Sequence, residues 1–333
     1  GRTIARSAGN AWELHWYHIL EASIRGNQGL YEQADTHLLQ ALDLVMDRRQ
    51  YRRQVESSLA QNCEYLGNLS MAIALTTAII EDFRIDPVPE VRTPFPYACL
   101  TRARARNKLA RRYPERAAEI SRLALDDAHH AMGLCRTYQE VPPAAGFHEF
   151  ADFTSVSLMA ELVAIECRCR LGELDPLAQV CAMIDRLDPL TDLAAADSIS
   201  TGMLEAYGWL CVHALHIARR ELRGPELERS MAVLTNKGLD IADLVPNWSM
   251  RVEVLCAQYG IMMTPRQTVV IGPGYTGLTL DEDDERQIEW TMARVPSFFH
   301  IGRLLLDTVS RTRIGGPGTG FECPGPLLRS HMV

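Results

Sequence analysis

Arg102, Arg104, Arg106, Lys108, Arg111, Arg112 and Arg116 stand between positions 101 and 116 against Glu115 alone, a local charge of +7 − 1 = +6 in a chain whose net charge is −8. A guanidinium presents its N–H donors in a rigid fork that matches a carboxylate or phosphate in two contacts at once. Arg102 and Arg106 are one helical turn apart, so their forks project from the same side of a helix, and Arg112 begins the turn that follows. Arg48, Arg49, Arg52 and Arg53 repeat the spacing as two ridges. Arg49, Arg53, Arg102, Arg106 and Arg112 are therefore the candidate anion-binding residues. A solvated helix face produces runs of the same kind, and both readings stand at this stage. The net negative charge argues against a nucleic-acid footprint spread over the surface.

Other constellations lack the context their chemistry needs. Gly272, Gly274 and Gly277 spell the glycine pattern that brings backbone amides against a pyrophosphate. Pro273 lies inside it, no helix clearly begins at Gly277, and no acidic residue stands near Ser297, so it reads as a loop. Gly315 to Gly320 lacks the Lys-Ser/Thr of a phosphate loop. His213 and His216 share a helix face, as do His15 and His18, but no second cluster completes a tetrahedral metal site. His148-Glu149 has Asp152 where a zinc-protease helix needs its second histidine. No nucleophile arrangement stands out either. The expectation is a chain with no cofactor, no metal and no chemistry of its own.

The elements that position these residues read as helices almost throughout from Ala11 to about Met262, with apolar residues recurring at three and four and strand-like alternation rare. The fold class is all-α. Breakers at Gly26 to Gly29, Gly67, Pro87 to Pro96, Pro114, Pro142 to Gly146, Gly172, Pro176, Pro189, Gly224 and Pro246 cut the chain into short helices, which pair most naturally as antiparallel hairpins. After Pro265 the β-branched run Thr268 to Ile271 leads into the glycine loop. A further helix is expected from Asp283 to Arg294, where acidic residues from Asp281 to Glu285 suit the positive end of its dipole. Residues 311–333 hold five glycines and three prolines and read as a disordered tail.

A helix hairpin with one apolar face must stack on neighbours to bury it. Gly29 is followed at five, nine and twelve positions by Ala34, Leu38 and Ala41; Gly67 by Ala72, Thr76 and Ile79; Arg112 by Ala117, Ser121 and Ala124; Gly172 by Leu177, Cys181 and Ile184, with Pro189 closing the last unit. This resembles the second half of the tetratricopeptide repeat, over residues 10 to 190 and, more weakly, through three further helices at 196–220, 226–243 and 249–263. The repeats are irregular in length. The resemblance implies a right-handed α-α superhelix of antiparallel helix pairs over residues 1–265, followed by a loop with C-terminal helices over 266–310 and the tail. It also implies that the first helices of the pairs line a concave groove.

The expected function is that of an interaction scaffold or regulatory module whose groove takes a protein segment or acidic peptide, its arginines reading carboxylates. A ligand-sensing domain of a transcriptional regulator is the alternative, and an α-helical enzyme the third. Hydrophobic residues at 47% and charged residues at 23% describe a folded chain. No apolar run reaches the roughly 18 residues of a membrane span. The nine scattered cysteines form no CxxC pair and read as reduced thiols of a cytoplasmic protein. The start at Gly1, with no leader, suggests a piece of something longer. The aromatic face of Trp12 and Trp16, with Ile19 and Leu20, reads as core or as an N-terminal cap.

Overall fold

The computed structural model describes residues 11–85, 94–140, 153–187, 199–245, 248–262, 270–271, 282–294, 302–303 and 306. The polypeptide winds through α1 (Ala11–Asn27), α2 (Tyr31–Asp43), α3 (Arg49–Tyr65), α4 (Leu69–Ile85), α5 (Pro94–Arg112) and α6 (Ala117–Glu140). It continues through α7 (Phe153–Arg170), α8 (Pro176–Asp185), α9 (Thr201–Glu221), α10 (Gly224–Leu244), α11 (Trp248–Tyr259) and α12 (Glu282–Arg294). The only strands among the described residues are a two-residue antiparallel pair, β1 (Ile261–Met262) and β2 (Val270–Ile271). The all-α reading holds, and α12 falls where its acidic start placed it.

Three of the turns are copies of one another. Gly29, Gly67 and Gly172 have φ between 71° and 75°, in the left-handed region that favours glycine. After each, the next N–H reaches back to a carbonyl five residues earlier: Leu30 to Arg25 at 2.8 Å, Asn68 to Cys63 at 2.8 Å and Glu173 to Arg168 at 2.9 Å. This is the Schellman closure that satisfies the last carbonyls of a helix and reverses the chain. The third interval, at Arg112, uses Pro114 and a 3-10 turn instead. Helices α8 and α9 start on side-chain caps, with Asp175 accepting from the N–H groups of Leu177 and Ala178 and Ser200 from that of Met203.

Most of the small residues behind the first three turns are buried as their spacing implies, although Ala117 is only half-buried. Ala34 and Ala72 are wholly buried, as are Thr76, Ile79, Ser121 and Ala124. The pairs α1/α2, α3/α4, α5/α6 and α9/α10 form closely packed hairpins. The fourth unit departs from the pattern. Leu177 and Cys181 are exposed, and the buried face of α8 is Val180 and Met183, because α8 packs on α9 rather than along α7, which instead fits between α6 and α9.

First helices of successive units also touch one another, α3 on α5, α5 on α7, α7 on α9 and α9 on α11. The last contact is close because Gly208 has no side chain: a Cβ there would sit 1.9 Å from the Met250 sulfur. The row then comes back on itself. Ser249 at the start of α11 donates to the carbonyl of Gly26 at the end of α1, over 2.7 Å.

Candidate functional site

Helix α5 sits at the middle of this inner row, and its two basic ridges have different fates. The ridge of Arg102 and Arg106 faces the second helices. Arg102 grips both oxygens of Asp127 on α6 at 2.7 and 3.0 Å and reaches Thr77 of α4, and Arg106 donates to the same carboxylate at 2.6 Å. On α3, Arg49 and Arg53 converge on Asp82 of α4 at 2.8 and 2.7 Å. Partial burial alone would raise the Asp82 carboxyl, but the N–H groups of Arg53 and Arg49 bring it from 3.8 down to about 2. Arg112 is half-buried at the C-terminal end of α5.

Four of the five arginines singled out in the sequence, Arg49, Arg53, Arg102 and Arg106, therefore do read carboxylates, but the carboxylates belong to the chain itself. The structure brings Arg102 together with Arg106 and Arg49 with Arg53. It does not bring the two pairs to one anion: the first pair grips Asp127 and the second Asp82.

The other ridge, Arg104, Lys108 and Arg111, faces the inner row and enters a buried ionic hub. Arg104 lies 2.9 Å from Glu64 of α3 and stacks 3.8 Å over the Trp209 ring of α9. Lys108 bridges Glu64, at 2.7 Å, and Glu253 of α11. Arg111 donates twice to Glu166 of α7, which also accepts from Arg170 at 2.6 Å, Asn107 at 2.9 Å and His213 of α9 at 2.7 Å. Burial alone would raise both buried carboxyls. The cations overcome that cost, holding Glu64 below and Glu166 well below the ordinary carboxylate range. Burial also lowers His213 and, more strongly, His216.

Sequence reasoning passed over this hub, although one signal was present. Glu166 stands alone after the apolar run Leu162, Val163, Ala164, Ile165, and a lone acid there implies a buried cationic partner.

Above the hub the inner row leaves a recess of about 210 Å³. Gln61 of α3, Thr101 and Arg104 of α5, Ser155 and Met159 of α7 and Glu205 of α9 line it, so four helices contribute and the lining is mostly polar. It offers hydroxyls, an amide, a carboxylate and a guanidinium edge, groups that hydrogen-bond a polar ligand. Four buried thiols are unsuited to nucleophilic work, since burial pushes Cys99, Cys135, Cys167 and Cys211 up to about 12. Among the described residues no three His, Cys, Asp or Glu side chains gather where they would hold a metal ion, and no helix is long and apolar enough to cross a membrane.

Comparison with known proteins finds no matching family model, and no curated protein or solved structure that matches the chain. The glycine loop after Ile271 and the tail from Arg311 lie outside the described residues.

Proposed function

We propose that the chain is a protein-interaction module, a tetratricopeptide-like array whose inner helices take up one residue of an extended protein segment in the recess over Arg104. The recess itself carries this reading. It lies on the face shared by the first helices of four successive units, where such arrays present a groove, and its walls are held by the ionic hub beneath. A pre-set polar pocket lowers the ordering cost of binding. The volume, about 210 Å³, falls below the roughly 300 Å³ from which sites for whole small ligands begin. It suits a single side chain or chain end, which favours a segment over a sensed metabolite.

The lining also shapes the expected partner. Glu205 and the hydroxyls of Thr101 and Ser155 suit an amide, hydroxyl or cationic group, whereas Arg102, Arg106, Arg49 and Arg53 are engaged with Asp127 and Asp82. The partner reading thus moves from an acidic peptide to a segment with a polar or basic anchor residue.

Selection of a random peptide library on the purified chain tests it. Enriched peptides should bind the wild-type chain and lose about tenfold or more affinity on Met159→Trp, which fills the recess. Peptides that bind both forms equally would place binding elsewhere. No enrichment, together with a melting shift from free metabolites, would favour the ligand-sensing alternative.

A further inference from the structure

The arginine, lysine and glutamate charges of the hub and of the recess above it balance. Arg104, Lys108, Arg111 and Arg170 pair with Glu64, Glu166 and Glu253, and Glu205 stands in the recess wall, which gives 4 − 4 = 0. A charged group entering the recess would upset that balance beside side chains held out of water, since Thr101, Arg104 and Ser155 are only 3% to 5% exposed. It would also meet its like on one wall, a lysine or arginine beside Arg104 and an aspartate or glutamate beside Glu205. We propose that the anchor residue, on the interaction reading above, is a neutral side-chain carboxamide: glutamine or asparagine.

The hydrogen-bonding groups of the walls point the same way. Glu205 on α9 only accepts and Arg104 on α5 only donates, whereas Gln61, Thr101 and Ser155 do both. A carboxamide carries its two N–H donors on one atom and its acceptor on another, so it answers the α9 wall and the α5 wall together. An ammonium or guanidinium only donates, and a carboxylate only accepts. Leu100 and Met159 supply apolar wall for the methylenes of the anchor. An amino-acid zwitterion has no net charge either and is the rival occupant. Its carboxylate would be a second anion on Arg104, which Glu64 already holds at 2.9 Å, whereas the carbonyl of an amide adds no charge there.

The peptides enriched by the library selection, measured on the full chain, test the anchor. Those that lose affinity on Met159→Trp should share a glutamine or asparagine, and replacing it by glutamate, lysine or leucine should weaken binding about tenfold or more. Glu205→Gln, which removes the like charge, should recover part of the loss of the glutamate peptide. The substituted peptides on the wild-type chain decide the matter even if Glu205→Gln does not fold. Peptides that respond to Met159→Trp but share a lysine, an arginine or no common residue would overturn the carboxamide and leave the recess reading standing. An absence of peptides that respond to Met159→Trp would overturn the recess reading and the carboxamide with it. A melting midpoint raised by free glycine or alanine, with no peptide bound, would assign the recess to a zwitterion instead.

Discussion

Lys108 on α5 and Glu253 on α11, 145 positions apart in the chain, form an ion pair, and the same ammonium lies 2.7 Å from Glu64 on α3. One cation thus ties three inner helices. Lys108→Met keeps most of the aliphatic stem but leaves Glu253 without this partner and Glu64 with Arg104 alone. The expected loss is about 3–5 kcal/mol, as for a broken buried pair, read from urea unfolding. A loss under about 1 kcal/mol would show that the tie contributes little.

Gly208 gives the crossing of α9 and α11 its closeness, and Met250, wholly buried, occupies the space a methyl would need. Gly208→Ala should cost about 1–3 kcal/mol through overpacking. Met250→Ala should show a favourable coupling with it in a double-mutant cycle. Gly133→Ala meets open space on α6 and should instead stabilise by about 0.5–1 kcal/mol.

Ala72 and Leu177 hold the same offset behind their glycines, yet one is wholly buried and the other 39% exposed. Ala72→Leu should therefore destabilise by about 1–3 kcal/mol, whereas Leu177→Ala should stay within about 0.5 kcal/mol. Equal effects in thermal melts would contradict the placement of α8 on α9.

The Arg49 and Arg53 clasp on Asp82 has a definite pH dependence. A carboxyl whose folded value is about 2, against an ordinary 3.8, stabilises the fold fully above the ordinary value. That stability is lost as pH falls from about 4 to about 2. Asp82 is a quarter exposed, so after solvent screening the clasp contributes about 1 kcal/mol. The unfolding free energies of wild type and Asp82→Asn should differ by that amount at pH 6 and converge toward pH 2. A constant difference would mean that the charge is not its source.

Helices and turns were legible in the residues alone because both are local. The apolar spacing marked the helices, and Gly29, Gly67 and Gly172 supplied the left-handed closures, each fixed by contacts within six residues. The buried contacts of Ala34 and Ala72 were legible for a related reason: only a small side chain permits that approach. The offset behind Gly172 did not carry over, since the same spacing leads into a helix that chooses a different neighbour.

Which basic ridge of α5 turns inward was decided by the tertiary structure. Both ridges carry cations, and alanines 98, 103, 105 and 110 are buried all round the helix, so no apolar stripe marks an inner face. The choice rests on where Asp127, Glu64, Glu166 and Glu253 arrive in space, and they come from four other helices spread between positions 64 and 253. Periodicity assigns a face by what water rejects. Where a helix buries charge, the face is assigned by distant opposite charges, and only the folded chain brings those together.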